Sequence, residues 1–289
     1  MSTLRILLLT GAAMLAFAAN SLLCRLALAQ PRIDPGSFGS IRLVSGALVL
    51  ALIVRMRAGS DAAPRGDWLA ATMLFAYVAL FSFAYLSLSA GTGALILFGA
   101  VQLTMLGAGL RAGERFAPAA WAGLAAAIAG LVYLVSPGVS APAPLGATSM
   151  ALAGAAWGVY SLRGRGIVDP LAATASNFAR AVPLALALSV LTAGAAHADG
   201  PGVALAVASG ALSSGIGYVI WYAALRGLTA MRAATVQLSV PPIAAIGGAL
   251  MLAEPLTPRL MLASAAIIGG IAVVLATRAR AVARGATGR

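Results

Sequence analysis

Apolar residues fill most of this chain in long runs that are separated by short polar connectors. A helix needs about 20 mostly apolar residues to cross the hydrocarbon core of a bilayer. Breaks at charged residues, proline and glycine divide the sequence into ten runs near that length: 4–29, 36–54, 68–89, 93–111, 118–135, 145–162, 171–193, 201–225, 230–253 and 258–277. No connector could hold a soluble domain. The pattern therefore predicts an all-α membrane protein with ten transmembrane helices, whose function lies within or between them.

Composition supports the same class of protein and excludes others. Hydrophobic residues make up 61% of the chain and charged residues 9%, against about 25% charged residues in soluble domains. The net charge of +12 does not indicate a nucleic-acid partner, because the arginines stand singly between apolar runs and form no basic patch with interleaved aromatics. Cys24 is alone in an apolar run and is expected to be a small buried side chain. The lipid bilayer is the expected partner.

The distribution of arginine orients the predicted helices. Alternate connectors, together with the two termini, hold fourteen of the 19 basic residues, whereas the opposite side holds only Arg25, Arg32 and Arg259. Short cytoplasmic loops carry the excess of basic residues, so both termini are predicted to be cytoplasmic. The first run resembles a signal peptide at 27–29, but it is long and contains Asn20 and Arg25, so we expect it to remain uncleaved.

The sequence repeats itself weakly at a nearly constant spacing of about 140 residues. The segment 114–135 aligns without a gap on 254–275. The matched pairs are Glu114 and Glu254, Pro118 and Pro258, Ile128 and Ile268, Gly130 and Gly270, Ser21 and Ser161, Arg25 and Arg165, Tyr85 and Tyr222, Thr92 and Thr229, and Arg42 and Arg180. Their common order predicts two homologous halves, 1–138 and 145–289.

Five helices in each half make the repeat inverted, because an odd number forces the second copy to enter the membrane from the other side. Inverted repeats allow one sequence unit to build a gate at each face around a central cavity, as alternating access requires. The alternative is that duplication produced only a membrane scaffold. A scaffold gains nothing from opposite orientations, so the pattern favours a transporter.

Each half contains a short acidic step before a final helix that carries glycine. The residues are Gly113-Glu114 with Gly123 and Gly130, then Ala253-Glu254 with Gly269 and Gly270, and Pro241-Pro242 in the second copy where the first has Gln102. This arrangement resembles the EamA-type unit of the drug/metabolite transporter superfamily. The ten-helix plan and the aromatic-rich middle are similar to the YddG-type bacterial amino-acid exporters. The resemblance implies ten helices around a cavity lined mainly by the first, third and fourth helices of each half, in the bacterial inner membrane.

Aromatic residues at helical spacing indicate where a solute would bind. Tyr77, Phe81 and Tyr85 recur every four residues and share one helix face, and the repeat places Tyr218 and Tyr222 over the last two. Tyrosine and tryptophan combine apolar area with one polar group, which suits a small amphiphilic solute. Alternatively, some of these residues belong to the aromatic belt at the membrane surface. The predicted substrate-binding residues are Asn20, Tyr77, Phe81, Tyr85, Gln102, Trp157, Tyr160, Tyr218, Trp221, Tyr222 and Gln237.

Polar residues in the runs leave several roles open. Gln102 and Gln237 lie mid-run, either as contacts between helices or as ligand partners. Arg42 and Arg180 serve either helix packing or attraction of a carboxylate, and we favour packing. Glu254, like its repeat mate, is expected to tie helix ends to arginine or backbone N–H groups, with a coupling role as the alternative.

All seven acidic residues fall in connectors or at the ends of runs. A proton-driven antiporter usually needs a titratable group inside the membrane, so we expect an uncoupled facilitator that exports aromatic and other neutral amino acids. The alternative is a proton-coupled drug or metabolite effluxer of the same fold. No catalytic or metal-binding motif is present, so we expect no enzyme, cofactor or metal, and a monomer suffices. Pro241-Pro242 is expected to bend its helix and to move during transport.

Overall fold

The computed structural model describes residues 2–57, 66–113, 116–164, 166–228 and 230–287, and these residues are almost entirely helical, without a strand. The helices are α1 Thr3–Ala29, α2 Pro35–Met56, α3 Trp68–Ala84, α4 Ala90–Arg111, α5 Pro118–Val135, α6 Pro144–Arg163, α7 Pro170–Leu191, α8 Gly200–Leu225, α9 Ala230–Gln237, α10 Val240–Leu252 and α11 Pro258–Thr287. The predicted all-α class is confirmed.

Within the described residues, eight helical segments are long and apolar enough to cross a membrane. They are α1, α2, α4, α5, α7, α8, the stretch Arg232–Leu252 and the first 20 residues of α11. Helix α3 is apolar but has only 17 residues, and α6 does not reach the same level of hydropathy. The chain is therefore a multi-pass helical membrane protein.

Aspartates mark the starts of four helices. Asp34, Asp67, Asp169 and Asp199 are the N-caps of α2, α3, α7 and α8, and each side chain accepts a hydrogen bond from a backbone N–H of the first turn. A carboxylate satisfies otherwise unpaired N–H groups there and interacts favourably with the helix dipole. Four of the acidic residues thus lie outside the spans because they begin helices.

Several predicted runs differ from the helices in detail. Helix α3 ends at Ala84, and the last helix continues to Thr287. The run 230–253 divides into α9 and α10 around a turn at 238–239. Pro241 and Pro242 lack the N–H groups that would continue the helix from α9. The predicted bend is therefore present, and its movement stays a prediction.

Helix α8 contains an irregular segment that the sequence pattern does not predict. Residues Ala208–Ile216 are wound as a π-helix. Such widened turns are uncommon and are frequent at functional sites. This segment carries the serines that contact Asn20 and Arg42, described below.

Glycines allow two helices to approach closely at the edge of the bundle. Helix α5 packs along α11, and a methyl group on Gly123 would lie 2.5 Å from the carbonyl oxygen of Gly270. Gly130 is similarly crowded by Ala266, at 2.8 Å. Gly269 has open space around it. Of the four motif glycines that lie within α5 and α11, Gly123, Gly130 and Gly270 therefore serve this helix crossing.

Candidate functional site: an aromatic cavity

A cavity of about 280 Å³ opens between α3, α6, α7 and α8, and we call it the outer cavity. This volume is close to the lower end of the roughly 300–1,000 Å³ of small-molecule sites. Asp67 and Arg163 form an ion pair at its rim. Five predicted site residues line it: Trp157, Tyr160, Tyr218, Trp221 and Tyr222.

A second space, which we call the inner chamber, lies behind the outer cavity. Its volume is about 20 Å³, room for about one water molecule. Trp157 and Tyr218 line both spaces, and their rings stack at 5.7 Å with an interplanar angle of 27°. This ring pair separates the two spaces. The remaining lining residues of the inner chamber are Phe17, Asn20, Ser21, Tyr77, Phe81, Leu97, Phe98 and Gln237.

The aromatic side chains form one connected cluster across several helices. The ring of Tyr77 lies 4.8 Å from Trp157 and 5.4 Å from Phe81, while Phe17 lies 6.0 Å from Tyr218. Aromatic pairs at such distances contribute about 0.5–1.5 kcal/mol beyond their buried area. The cluster therefore forms a rigid apolar wall inside the bundle.

Nine of the eleven predicted site residues line the two spaces, and Tyr85 and Gln102 do not. Because α3 ends at Ala84, Tyr85 lies in the following turn, fully buried, with its hydroxyl 3.3 Å from the carbonyl oxygen of Ala90. Gln102 is buried on α4 away from both spaces. The cavities are lined from the first, third and fourth helices of each predicted half, as the resemblance implies, and also from α7.

Helix α7 contributes polar residues that the sequence analysis missed. Thr174 and Asn177 line the outer cavity. The hydroxyl oxygens of Thr174 and Tyr222 are 2.7 Å apart, and Tyr160 donates to Thr174 over 3.4 Å. These bonds orient two tyrosine rings. Two polar residues three positions apart in an apolar run share a face, which is the signal that could have found them.

Arg42 lies deep among the helices, with 1% of its surface exposed. Its Nη2 donates to the hydroxyl of Tyr77 over 3.0 Å, and its Nε donates to Ser214 over 3.3 Å. Its guanidinium carbon lies 5.2 Å from the centre of the Tyr77 ring and 5.0 Å from that of Phe81. Asn20 accepts hydrogen bonds from Ser209 and Ser214 over 2.8 and 3.4 Å. The π-helical segment thereby joins Arg42 to the chamber wall.

Arg180, the repeat mate of Arg42, has different surroundings. It is half-buried, bonds to Ser176 on its own helix, and lies 5.8 Å from the ring of Trp68. Trp68 begins α3 and is largely exposed. Arg180 thus extends towards a helix end, and the matched roles expected from the repeat are not reflected in their contacts.

The far end of α3 is closed by a network around Glu254. Arg25 Nε lies 2.9 Å from Glu254 Oε1, and Arg25 Nη1 donates to the carbonyl oxygen of Tyr85 over 2.9 Å. Glu254 Oε2 accepts from the backbone N–H of Ala90 over 2.7 Å. The prediction that Glu254 ties helix ends together is confirmed, and its repeat mate, Glu114, lies outside the described residues. We call this network the closed end; it lies about 26 Å, the length of α3, from the rim.

Backbone conformation directs Glu254 into this network. Ala253 has a φ of 52°, in the left-handed region, and Gly113 at the equivalent place has a φ of 85°. Left-handed residues commonly end helices. Gly113 and Ala253 therefore each turn the chain sharply after a helix.

The carboxylate at the rim is held in its charged form. Burial is the largest single influence and raises the pKa of Asp67, but hydrogen bonds from Arg163 and from the first turn of α3, together with the charge of Arg163, outweigh it and lower the pKa below its ordinary value. The rim pair is therefore charged at neutral pH.

Long apolar helices around an aromatic cavity of about 280 Å³ define a polytopic membrane protein with an internal cavity. Residues 144–276 match the EamA-like transporter family. The chain is also 54% identical over 280 residues to the uncharacterized protein PA1977 of Pseudomonas aeruginosa. The aligned region covers 97% of this chain and 98% of that protein. The chain belongs to the EamA-like transporter family. A solved crystal structure with 20% identity has the same fold, with a TM-score of 0.67 over 96% of this chain and 99% of that chain.

Proposed function

We propose that this protein exports neutral amino acids, aromatic ones among them, and related small metabolites by alternating access across the bacterial inner membrane. The observation that carries the proposal is an aromatic cavity of about 280 Å³ that opens at one end of the helices and is closed by the Arg25–Glu254 network at the other. A cavity accessible from one side only is the arrangement that alternating access requires.

We infer that the architecture consists of ten spans in two inverted repeats, 1–138 and 145–289. Two ion pairs support this inference. Arg32 lies 3.6 Å from Asp199, and Arg163 pairs with Asp67. Arg32 follows α1, the first helix of the first half, and Asp199 caps α8, the third helix of the second half. Arg163 ends α6, the first helix of the second half, and Asp67 caps α3, the third helix of the first half. Reciprocal pairs of this kind are expected from a two-fold axis in the membrane plane.

Helix packing gives independent support for the repeats. Helix α6 packs against α3 and α4, and α1 packs reciprocally against α8 and α10. Helices α2 and α7 contact each other, as do α5 and α11, which are the pairs that a two-fold axis would exchange. The same packing supports α3 and α6 as spans, because α6 lies between two other helices and needs less lipid-facing apolar surface.

The arginine distribution supports a cytoplasmic position for the outer cavity. The rim carries Arg163, in a connector assigned to the cytoplasm, whereas Arg25 at the closed end belongs to the arginine-poor side. The conformation is then open to the cytoplasm and closed to the periplasm, with both termini cytoplasmic. This is the state in which an exporter would load its solute.

The described carboxylates support uncoupled transport. Four of them cap helices, and Glu254 is bonded to Arg25 and Ala90. Among the described acidic residues, only Asp67 reaches either space, and it lies at the rim. A proton relay usually requires a titratable group along the path.

The test is uptake of labelled amino acids into liposomes that contain the purified protein, with and without an imposed pH gradient. We expect saturable uptake whose rate does not depend on the pH gradient. Uptake that depends on the gradient would contradict the facilitator and favour the proton-coupled alternative. Failure to transport any amino acid would contradict the proposed substrate class and favour another metabolite or a drug.

A further inference from the structure

The guanidinium of Arg42 is a buried charge whose hydrogen-bonding capacity is incompletely used. Its Nη1 atom is buried and has no hydrogen-bond partner, although Nε and Nη2 are bonded. The three ion pairs formed by described residues do not include Arg42. Placing an unpaired charge inside a protein is costly, so such groups are normally paired or functional.

Arg42 is connected to three residues of the inner chamber. It stacks over the rings of Tyr77 and Phe81 and reaches Asn20 through Ser214. Tyr77, Phe81 and Asn20 all line the chamber. A single layer of side chains therefore separates the guanidinium of Arg42 from the chamber, and its positive charge acts on the chamber across that layer.

We propose that Arg42 is the counter-charge for an anionic group of the transported solute, so that the inner chamber accepts carboxylate-bearing solutes and rejects lipophilic cations. The proposal rests on the proposed transport function, in which the stacked rings of Trp157 and Tyr218 separate and admit the solute from the outer cavity. It identifies the charge class of the substrate, and for Arg42 it adopts the alternative of carboxylate attraction in place of the packing role that we favoured from the sequence.

Aromatic lining alone would have suggested the opposite selectivity, because ring faces attract cations. Here the guanidinium already occupies positions 5.2 and 5.0 Å from the ring centres of Tyr77 and Phe81. A cationic ligand in the chamber would be repelled by Arg42 and would also lose its own hydration, and both effects oppose its binding. A carboxylate would instead gain a charge partner in surroundings that screen poorly.

A packing role makes a different prediction. Replacing a buried charge by an apolar side chain of similar volume is often neutral or stabilising. If Arg42 only filled space, Arg42→Met would leave the choice between anionic and cationic ligands unchanged.

The experiment measures ligand binding to the full-length protein in nanodiscs by competition and by quenching of tryptophan fluorescence, since Trp157 and Trp221 line the outer cavity. The probes share one apolar body: phenylalanine, phenylpropanoate without the amine, and phenylalaninamide without the carboxylate. Wild type is expected to bind the first two at least thirtyfold more tightly than the amide. Arg42→Gln and Arg42→Met should lose this preference, and Arg42→Lys should retain part of it.

Arg180→Gln is the matched control, because it neutralises the repeat mate of Arg42, which lines neither space. It should keep the wild-type preference. The inference is overturned if the amide binds wild type as tightly as phenylalanine, if Arg42→Gln keeps the preference, or if neither carboxylate ligand binds. Binding of phenylpropanoate but not of phenylalanine, with dependence on Arg42, would uphold the anion site while contradicting the amino-acid substrate.

Discussion

Trp157 lines both the outer cavity and the inner chamber and, with Tyr218, separates them. Its ring lies between those of Tyr77, Tyr160 and Tyr218, at 4.8, 5.2 and 5.7 Å. Trp157→Ala should raise the half-saturating solute concentration about tenfold to a hundredfold, because it removes ring contacts and a large apolar surface. Concentration-dependent uptake in liposomes measures this change.

Trp121→Ala provides the control, since Trp121 is half-exposed, packs its ring against that of Phe116 and lines neither space. It should leave the half-saturating concentration close to that of wild type. Equal effects of the two substitutions would argue against a role of Trp157 in solute binding.

The rim pair gives a prediction about pH. The pKa of Asp67 is lowered in the folded protein, so the stabilisation from its pairing is present above the ordinary aspartate pKa of about 3.9 and is lost as the pH falls through the lowered value. Asp67→Asn keeps the helix cap but removes the charge. The unfolding temperature of wild type should therefore exceed that of Asp67→Asn slightly and constantly from pH 8 to about 5.

That difference should begin to fall near the ordinary aspartate pKa of about 3.9 and should disappear only below the lowered pKa of Asp67. It should amount to no more than a few degrees, because exposed ion pairs contribute only about 0–1 kcal/mol. A difference that instead vanished between pH 8 and 6 would contradict the assignment of a lowered pKa to Asp67.

At the scale of single residues, the sequence predicted side chains that follow helical spacing and missed those fixed by tertiary contacts. The spacing of Tyr77 and Phe81 placed both in the inner chamber wall. Tyr85 continued the spacing but lies beyond the end of α3. The position of Arg42 depends on Tyr77 and Ser214 from two distant helices, which no local pattern specifies.

At the scale of elements, the crossing of α5 and α11 depends on the absence of particular side chains. A methyl group on Gly270 would lie 2.8 Å from the backbone nitrogen of Ala127, whereas one on Gly269 would meet open space. Gly270→Ala should lower the unfolding free energy by about 1–3 kcal/mol, since a backbone atom cannot move aside cheaply. Unfolding in detergent, followed by loss of helical signal, measures the effect.

Gly269→Ala is the neighbouring control and should be neutral or stabilising by about 0.5–1 kcal/mol, because alanine favours the helix. If both substitutions destabilised the protein equally, the close crossing at Gly270 would not be the cause.

Element boundaries were predictable where local chemistry sets them. Asp34-Pro35 and Asp169-Pro170 begin α2 and α7 because an aspartate cap followed by proline suits a helix start. Pro241 and Pro242 forced the turn before α10. The π-helical turns of 208–216 had no comparable local signal, because their serines are held by Asn20 and Arg42 on other helices.

At the scale of the whole molecule, the Arg25–Glu254 pair belongs to the conformation that is closed at this end. An interaction made in one conformation shifts the equilibrium by its differential free energy. Removing the pair should therefore populate conformations that are open at the closed end. Charged hydrogen-bonded pairs contribute about 1.5–3 kcal/mol, which corresponds to a shift of about tenfold to a hundredfold.

The protein contains its own reporter for this opening. Cys24 is the single cysteine of the chain, it precedes Arg25, and it is fully buried. Glu254→Gln should increase the rate at which a membrane-impermeant thiol reagent labels Cys24 about tenfold or more. The exchanged pair Arg25→Glu with Glu254→Arg should restore slow labelling only in part, because it restores the attraction between the two side chains but not their bonds to the backbone of Tyr85 and Ala90.

Asp199→Asn is the control at the same end, since it removes the exposed and longer Arg32–Asp199 pair and should change labelling little. An unchanged labelling rate in Glu254→Gln would mean that the Arg25–Glu254 network does not keep this end of the helices closed. Faster labelling in Glu254→Gln and recovery in the exchanged pair would instead assign the two oppositely charged residues, from different halves of the sequence, to one gate. The proposed inverted repeat would then imply a second gate of the same design at the opposite end of the helices, open while this one is closed.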